Sequence, residues 1–556
     1  MKKTLIIIIF FLLTIIITFP SILFLKTKVI GDLGDAYQSV GFQFLSNRLF
    51  LEGKFPFGWT NYWRYPYGFN LQTGMDSSMV IITGLVLYRF IQNPILVYNL
   101  TIYIFIFLNL SLSYLSFRVL FPEIISLIGA IMYGLSFFSI ARLGGHAGLM
   151  LTAGFPLILS SIILINREEG SKKSFTYLLL GLWFISFSSL QYPLIILATI
   201  PFLLIISLFT LRRELFKFLS VIYRKKLNVL IVMLLIFFSF ILFHGQKIYE
   251  LIYNQIPPKG IPIISPLPIN YFIPNSYIRT ISSLIHNNSN YSIEYSVFVG
   301  FVEMVLLIAA LIFHKNTRYR LFLLLSISTF FILALGQQQF LKKYLPYQYL
   351  FHFFPYLGVT EPGRFFVIFY LFVVLSILLW LKRIKNNKLF FIILFLLIVE
   401  RLPININLSP NMRDDKIILK LRNTKSNAIL DLPISIEPTL GQIYDVYSIY
   451  YRKPIINGYI HWSGDSSTAK TLIKQLNIFN CNSQDVDKMN QNKKKQILYL
   501  LEKYGIRSVV IHKNAIEELK DCQESIKYNI QLLVEDNKLW NILYDDSTTK
   551  ILWLKN

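Results

Sequence analysis

The sequence predicts an all-α polytopic membrane domain of about eleven transmembrane helices, followed by a C-terminal extracytoplasmic α+β domain. Three observations carry that prediction. The 556 residues are 54% hydrophobic and 16% aromatic, with mean hydropathy +0.53, a composition too apolar for a soluble domain. Apolar runs of spanning length recur along the first 409 residues. Beyond Pro410 the composition changes: residues 1–409 hold 13 of the 30 acids and 33 of the 54 basic residues, whereas residues 410–556 hold the other 17 and 21, close to balance.

The first run, Thr4–Leu25, follows Lys2 and Lys3 and is as long as the ~20 residues a spanning helix needs. No small-residue cleavage site follows it, so it reads as a retained helix rather than a secretory signal. Ten further runs lie at about 97–117, 122–140, 147–165, 174–192, 194–211, 227–245, 296–313, 318–336, 363–381 and 387–402. A shorter run, Met79–Ile91, ends at Asn93-Pro94 and is expected to dip into the interface without crossing. Basic residues cluster between the runs: Arg212, Arg213, Lys217, Arg224, Lys225 and Lys226, then Lys315, Arg318 and Arg320, then Lys382, Arg383, Lys385 and Lys388. With eleven helices these loops and the N-terminus are all cytoplasmic, as the bias of Lys and Arg to that side requires. The net charge of +24 is therefore an orientation signal in a plasma-membrane protein, and no nucleic-acid partner is implied.

That topology leaves residues 26–78, 141–146, 246–295, 337–362 and the tail outside. In the first outer loop, Ala36–Glu52 reads as an amphipathic helix lying flat on the membrane. The tail, 410–556, has strand-like stretches at Ala428–Leu432, Ile506–His512, Ile530–Val534 and Lys550–Leu554, with helical segments at 468–477, 490–504 and 514–522. Its ~150 residues suit one domain. The only cysteines, Cys481 and Cys522, fall there; a pairing between them is left open, and no cysteine-based metal site is available.

Acidic residues are scarce near hydrocarbon because burying a carboxylate is costly, so those retained are candidates for function. On the outer side stand Asp32, Asp35, Glu52, Asp76, Glu250, Glu294 and Glu361, while Glu303 and Glu400 fall within runs. Asp32 and Asp35 lie closest to the first helix, in Gly31-Asp-Leu-Gly-Asp35. A partly desolvated carboxylate serves as general base toward a hydroxyl; an aspartate before a helix also serves as its N-cap. Arg64, Arg142 and Arg364 are outer-side cations able to hold a phosphate, with Lys342 and Lys343 further off. Arg64 stands among Tyr62, Trp63 and Tyr65, equally suited to anchoring at the interface. His146 follows two glycines in a short turn, and Glu294 precedes the eighth run.

Several short motifs together resemble the GT-C superfamily of integral membrane glycosyltransferases. They are Gly31-Asp32-Leu-Gly-Asp35, Tyr65-Pro66-Tyr-Gly68, Gly145-His146 with Phe155-Pro156-Leu157, Glu294 before Phe298-Val-Gly300, and Glu361-Pro-Gly-Arg364-Phe365. In the tail Leu430-Asp-Leu-Pro433 and Ile456-Asn-Gly-Tyr459 fit the same pattern. The resemblance implies a sugar donor carried on a polyprenyl phosphate, a cell-envelope glycan or glycolipid as acceptor, and inversion at the anomeric carbon. It implies Asp35 or Asp32 as the base, and Arg64, Tyr65, His146, Glu294 and Arg364 as substrate or phosphate contacts. Most of the superfamily has a more closely spaced acidic pair, so use of a divalent metal stays open. A transporter or flippase of lipid-linked saccharides is the alternative, although no internal repeat is visible; a non-catalytic envelope scaffold is a third reading.

Overall fold

The computed structural model describes residues 3–75, 77–167, 170–253, 264–275, 278, 280–281, 293–313, 317–336, 347, 361–404, 406–410, 415–434, 438–456, 476–479, 488–517, 523–536 and 538–555. Cys481, Cys522, Asp76, Lys342 and Lys343 lie outside them. Every one of the eleven apolar runs contains a helix, but the helices differ in length. Among the described residues six are long and apolar enough to cross a membrane: Pro94–Phe117, Ala147–Arg167, Gln191–Thr210, Lys226–Glu250, Thr317–Leu335 and Pro362–Leu381. A seventh span is the pair Glu123–Gly134 and Phe137–Gly144, bent by 40°. The other four runs give Lys3–Ile17, Lys172–Ser188, Phe301–Phe313 and Asn387–Glu400, of 15, 17, 13 and 14 residues. The first run is cut short at Pro20, whose missing N–H cannot continue the ladder; a single 3₁₀ turn, Ser21–Phe24, follows.

Past that turn the chain enters strand β1 (Lys28–Ile30), which pairs antiparallel with β2 (Leu408–Pro410), Val29 opposite Ser409. The buried amide of Asn99 fixes this crossing: its Nδ2 donates to the Leu25 and Lys28 carbonyls at 2.9 and 2.7 Å, and its Oδ1 accepts from Ile30 N at 3.0 Å. The start of the first loop is thus tied to the exit of the last bundle helix.

The helix expected at Ala36–Glu52 forms over Asp35–Leu51 and is packed against protein on its polar as well as its apolar side. Buried residues occur all round it, including Gln43, Leu45 and Ser46. Gly41 faces the Trp63 ring, which a Cβ would approach to 2.4 Å, and Gln43 Nε2 donates to Val80 O and Thr101 Oγ1 at 2.9 and 3.0 Å. A polar face satisfied by protein needs no water, so the helix packs between the bundle and the tail helix Pro438–Tyr451. The short run after it forms Ser78–Leu87, capped by Ser77 and only ten residues long.

In the tail, β3 (Ile429–Leu432), β4 (Ser508–His512), β5 (Trp540–Asp545) and β6 (Thr549–Leu554) form one sheet in the order β3-β4-β6-β5. The β3–β4 pair is parallel and the others antiparallel. Ile530–Val534, expected as a strand, is instead the end of a helix, Gln523–Val534. Ile526, Ile530 and Leu533 recur at helical spacing and are its buried side. Part of the sheet and its helices enclose one core, while Ile429, Val510 and Ile551 of the same sheet join a cluster with Phe42, Leu45 and Trp63 of the first loop.

Candidate active site

The glycine-rich turn after β1 sets the site. Gly31 adopts φ +120°, and a Cβ there would stand 2.7 Å from Ala36 Cβ, so only glycine fits. Its N–H donates to Asn407 O at 2.9 Å, and its carbonyl accepts from Ser409 Oγ at 2.7 Å. Asp32 N then donates to Gly144 O at 2.9 Å. Asp32 and Asp35 are thereby pinned beside the segment Arg142-Leu-Gly-Gly-His146, which the bend in the Glu123–Gly144 pair carries to the same place.

The two aspartates are not equivalent. Asp32 Oδ1 accepts from Gly34 N at 3.0 Å, closing its own turn. Burial raises its pKa, partly offset by that N–H, and the Asp35 charge raises it further. Asp35 opens the following helix, and its side chain remains 44% exposed. Gln442 Nε2, from the tail helix, donates to Asp35 Oδ1 at 3.2 Å. His146 Nδ1 lies 3.1 Å from Asp35 Oδ2.

Behind His146 the charges are buried. His146 Nε2 is 3.9 Å from Glu294 Oε1. Glu294 takes two guanidiniums side-on: Arg142 at 3.2 and 2.9 Å, and Arg364 at 3.2 and 2.8 Å. Burial by itself would raise the Glu294 pKa, but the two arginines outweigh it and hold the carboxyl well below the usual range. Arg364 also approaches Glu361 at 3.5 Å, and Gln191 Nε2 donates to Glu361 at 3.4 Å. Such paired forks fix planar geometry. Glu294, bracketed by the two arginines, is the charged group that stands behind His146.

Of the residues singled out in the sequence, Asp32, Asp35, His146, Glu294 and Arg364 are brought together. Arg64 and Tyr65 are placed elsewhere, at the seam with the tail. Tyr65 N donates to Ile455 O at 3.0 Å and its hydroxyl to Tyr504 O at 3.4 Å, while Tyr67 and Tyr504 share a 2.9 Å hydroxyl contact. Arg64 sits at φ 57°, its carbonyl accepting from Tyr67 N and Gly68 N. Gln442 was not legible beforehand: nothing in Gly441-Gln-Ile-Tyr444 marks a residue that crosses from the tail to the first loop. Among the described residues no group of three or more His, Cys, Asp or Glu is placed to hold a metal; Glu294 is taken by arginines and Asp35 faces His146.

No family model matches this chain, and neither does any curated protein. Solved structures do. Arabinofuranosyltransferase AftD from mycobacteria is 11% identical with TM-score 0.54, over 100% of this chain and 40% of that one; the chain spans well under half its length. The archaeal oligosaccharyltransferase AglB from Archaeoglobus fulgidus is 12% identical with TM-score 0.48, over 97% of this chain and 72% of that one. ArnT from Cupriavidus metallidurans is 10% identical with TM-score 0.43, over 99% and 98%. The likeness to AftD extends along the whole chain, from the first helix through the tail, and the chain has the fold of the GT-C glycosyltransferases.

Proposed function

We propose that the protein is a membrane glycosyltransferase that moves a sugar from a polyprenyl-phosphate-linked donor to a hydroxyl of a cell-envelope glycan or glycolipid. Asp35 is the general base. It removes the acceptor proton as the acceptor oxygen attacks the anomeric carbon; the bond to the lipid phosphate breaks on the opposite face, inverting the centre. In this reading all eleven helices cross the plasma membrane, the short ones with their ends covered by protein. The site and residues 410–556, as a domain of their own, then lie on the outer face. The observation that carries the reading is the state of Asp35: exposed enough to meet a substrate, yet oriented by Gln442 and His146. Asp32, closing its own turn, shapes the loop. His146 is the group nearest the base from which a phosphate or acceptor contact is made, with Glu294, Arg142 and Arg364 behind it.

Positioned acid–base groups contribute about 100- to 10,000-fold to rate. Asp35→Asn is therefore expected to lower transfer by that order, measured in membranes supplied with polyprenyl-phosphate sugar, at unchanged protein level. Asp32→Asn is expected to have the smaller effect. Full activity in both variants would overturn the assignment of the base, and absence of transfer by the wild-type protein would overturn the transferase reading.

A further inference from the structure

A cavity of about 820 Å³ opens at the far end of the first-loop helix. Its walls come from four places in the chain: the exit of the first helix, the far end of Asp35–Leu51, the segment leading into Pro94–Phe117, and the tail. Lys26, Arg89, Arg422 and Arg452 line it, and no carboxylate does among the described residues. Arg89 is stacked 3.8 Å above the Phe50 ring, and Arg422 Nε is held by Tyr450 O at 3.0 Å. Arg452 is placed by a left-handed backbone, φ 55°, which a non-glycine residue adopts only at some energetic cost. Tyr88 also lines the cavity, and its buried hydroxyl has no hydrogen-bond partner. Cations brought to one cavity from separate parts of the chain, beside the Tyr88 phenol, suit a polyanionic oxygen ligand.

The rim says what carries that ligand. Leu51, which lines the cavity, Phe90, next to Arg89, and Leu23, one turn before Lys26, are 70%, 84% and 68% exposed. Large apolar side chains so exposed beside basic ones are the signature of a membrane interface. The donor of the transfer reaction does not fit here. Phe44 to Leu51 lie nine to sixteen residues beyond Asp35, about 13–24 Å along the helix, whereas a donor's phosphate is bonded directly to the anomeric carbon at the base. We propose that this cavity is a binding site for the phosphate headgroup of an anionic bilayer phospholipid, which clamps the first loop, the bundle and the tail together.

The test uses the full chain in nanodiscs of phosphatidylcholine with or without phosphatidylglycerol, with retained lipid counted by native mass spectrometry. Phosphatidylglycerol is expected to be retained over phosphatidylcholine, and Arg89→Gln with Arg452→Gln to weaken that retention by about tenfold or more. Melting in phosphatidylcholine alone is expected to stay unchanged. If that pair does not fold, Lys26→Gln with Arg422→Gln, from other elements, carries the same expectation. Equal retention of phosphatidylglycerol by wild type and either folded pair overturns the site. Displacement of the lipid by inorganic phosphate at equal concentration overturns the lipid as its source. The readout is binding and does not depend on transfer activity.

Discussion

Two buried ionic clusters stand in the bundle, built from the same residue types, and they differ in what they leave open. In one, Glu303 pairs with Arg401, both fully buried. Tyr370 Oη donates to Glu303 at 2.9 Å and Arg401 Nε to Leu135 O at 2.8 Å. Glu400 receives the Phe301 and Val302 N–H groups at 2.5 and 3.4 Å, placing a carboxylate on a helix N-terminus where the helix dipole favours it. This cluster is closed on itself. The other, Glu294 between Arg142 and Arg364, continues through His146 to Asp35 and the surface. The first joins helices; the second joins helices and also reaches Asp35, the base we propose.

The largest effect that separates them is expected from Arg401→Met. Removing one partner of a buried pair costs about 3–5 kcal/mol, here because two carboxylates lose their cation. The melting temperature in detergent should fall steeply, while transfer per folded molecule stays near wild type. Loss of transfer without loss of stability would show that this cluster too serves the site. Glu294→Gln should cost a similar amount, about 3–5 kcal/mol, because two buried arginines lose their shared anion and the amide turns a donor toward their N–H groups. It should also lower transfer, since His146 loses the carboxylate behind it. A variant that melts lower but transfers normally would separate the Glu294 cluster from the chemistry.

Smaller is the dependence on pH. Glu294, held below its ordinary 4.5 by Arg142 and Arg364, binds fewer protons folded than unfolded. Its contribution is complete above about pH 4.5 and is lost as pH falls toward the lowered folded value. Asp32, raised by burial from 3.8, acts with the opposite sign and weakens stability as pH rises past that value. Melting temperatures from pH 7 down to pH 4 should thus stay level and then fall at the acid end. The fall should be smaller in Glu294→Gln. An acid limb unchanged in that variant would assign it to other carboxylates.

The apolar runs were readable because each is a contiguous stretch of side chains that favours hydrocarbon over water, a property of composition and not of neighbours. The carboxylate pair was readable for the complementary reason, two acids beside hydrocarbon in a stretch that otherwise avoids them. The surroundings of the first-loop helix are not legible in the sequence, because its pattern of apolar and polar positions is the same whether the polar side meets water or protein; Gln43 bonded to Val80 and Thr101 decides for protein. Ile530–Val534 is equally strand-like in composition, and only the helical recurrence from Ile526 reveals otherwise. Arg64 and Tyr65 had the composition of a sugar-binding stretch, yet the partners of Tyr65 are backbone carbonyls of the tail.

The sequence by itself determined that the chain is a membrane bundle with a polar tail and that Asp32 and Asp35 lie where the first loop begins. Both follow from solvation, which acts on local composition. Only the tertiary structure decided that Asp35 faces His146, that Glu294 unites Arg142 with Arg364, and that Gln442 arrives from the tail 407 residues away. Those contacts join segments distant along the chain, and their geometry arises from packing rather than from any property of the residues taken alone.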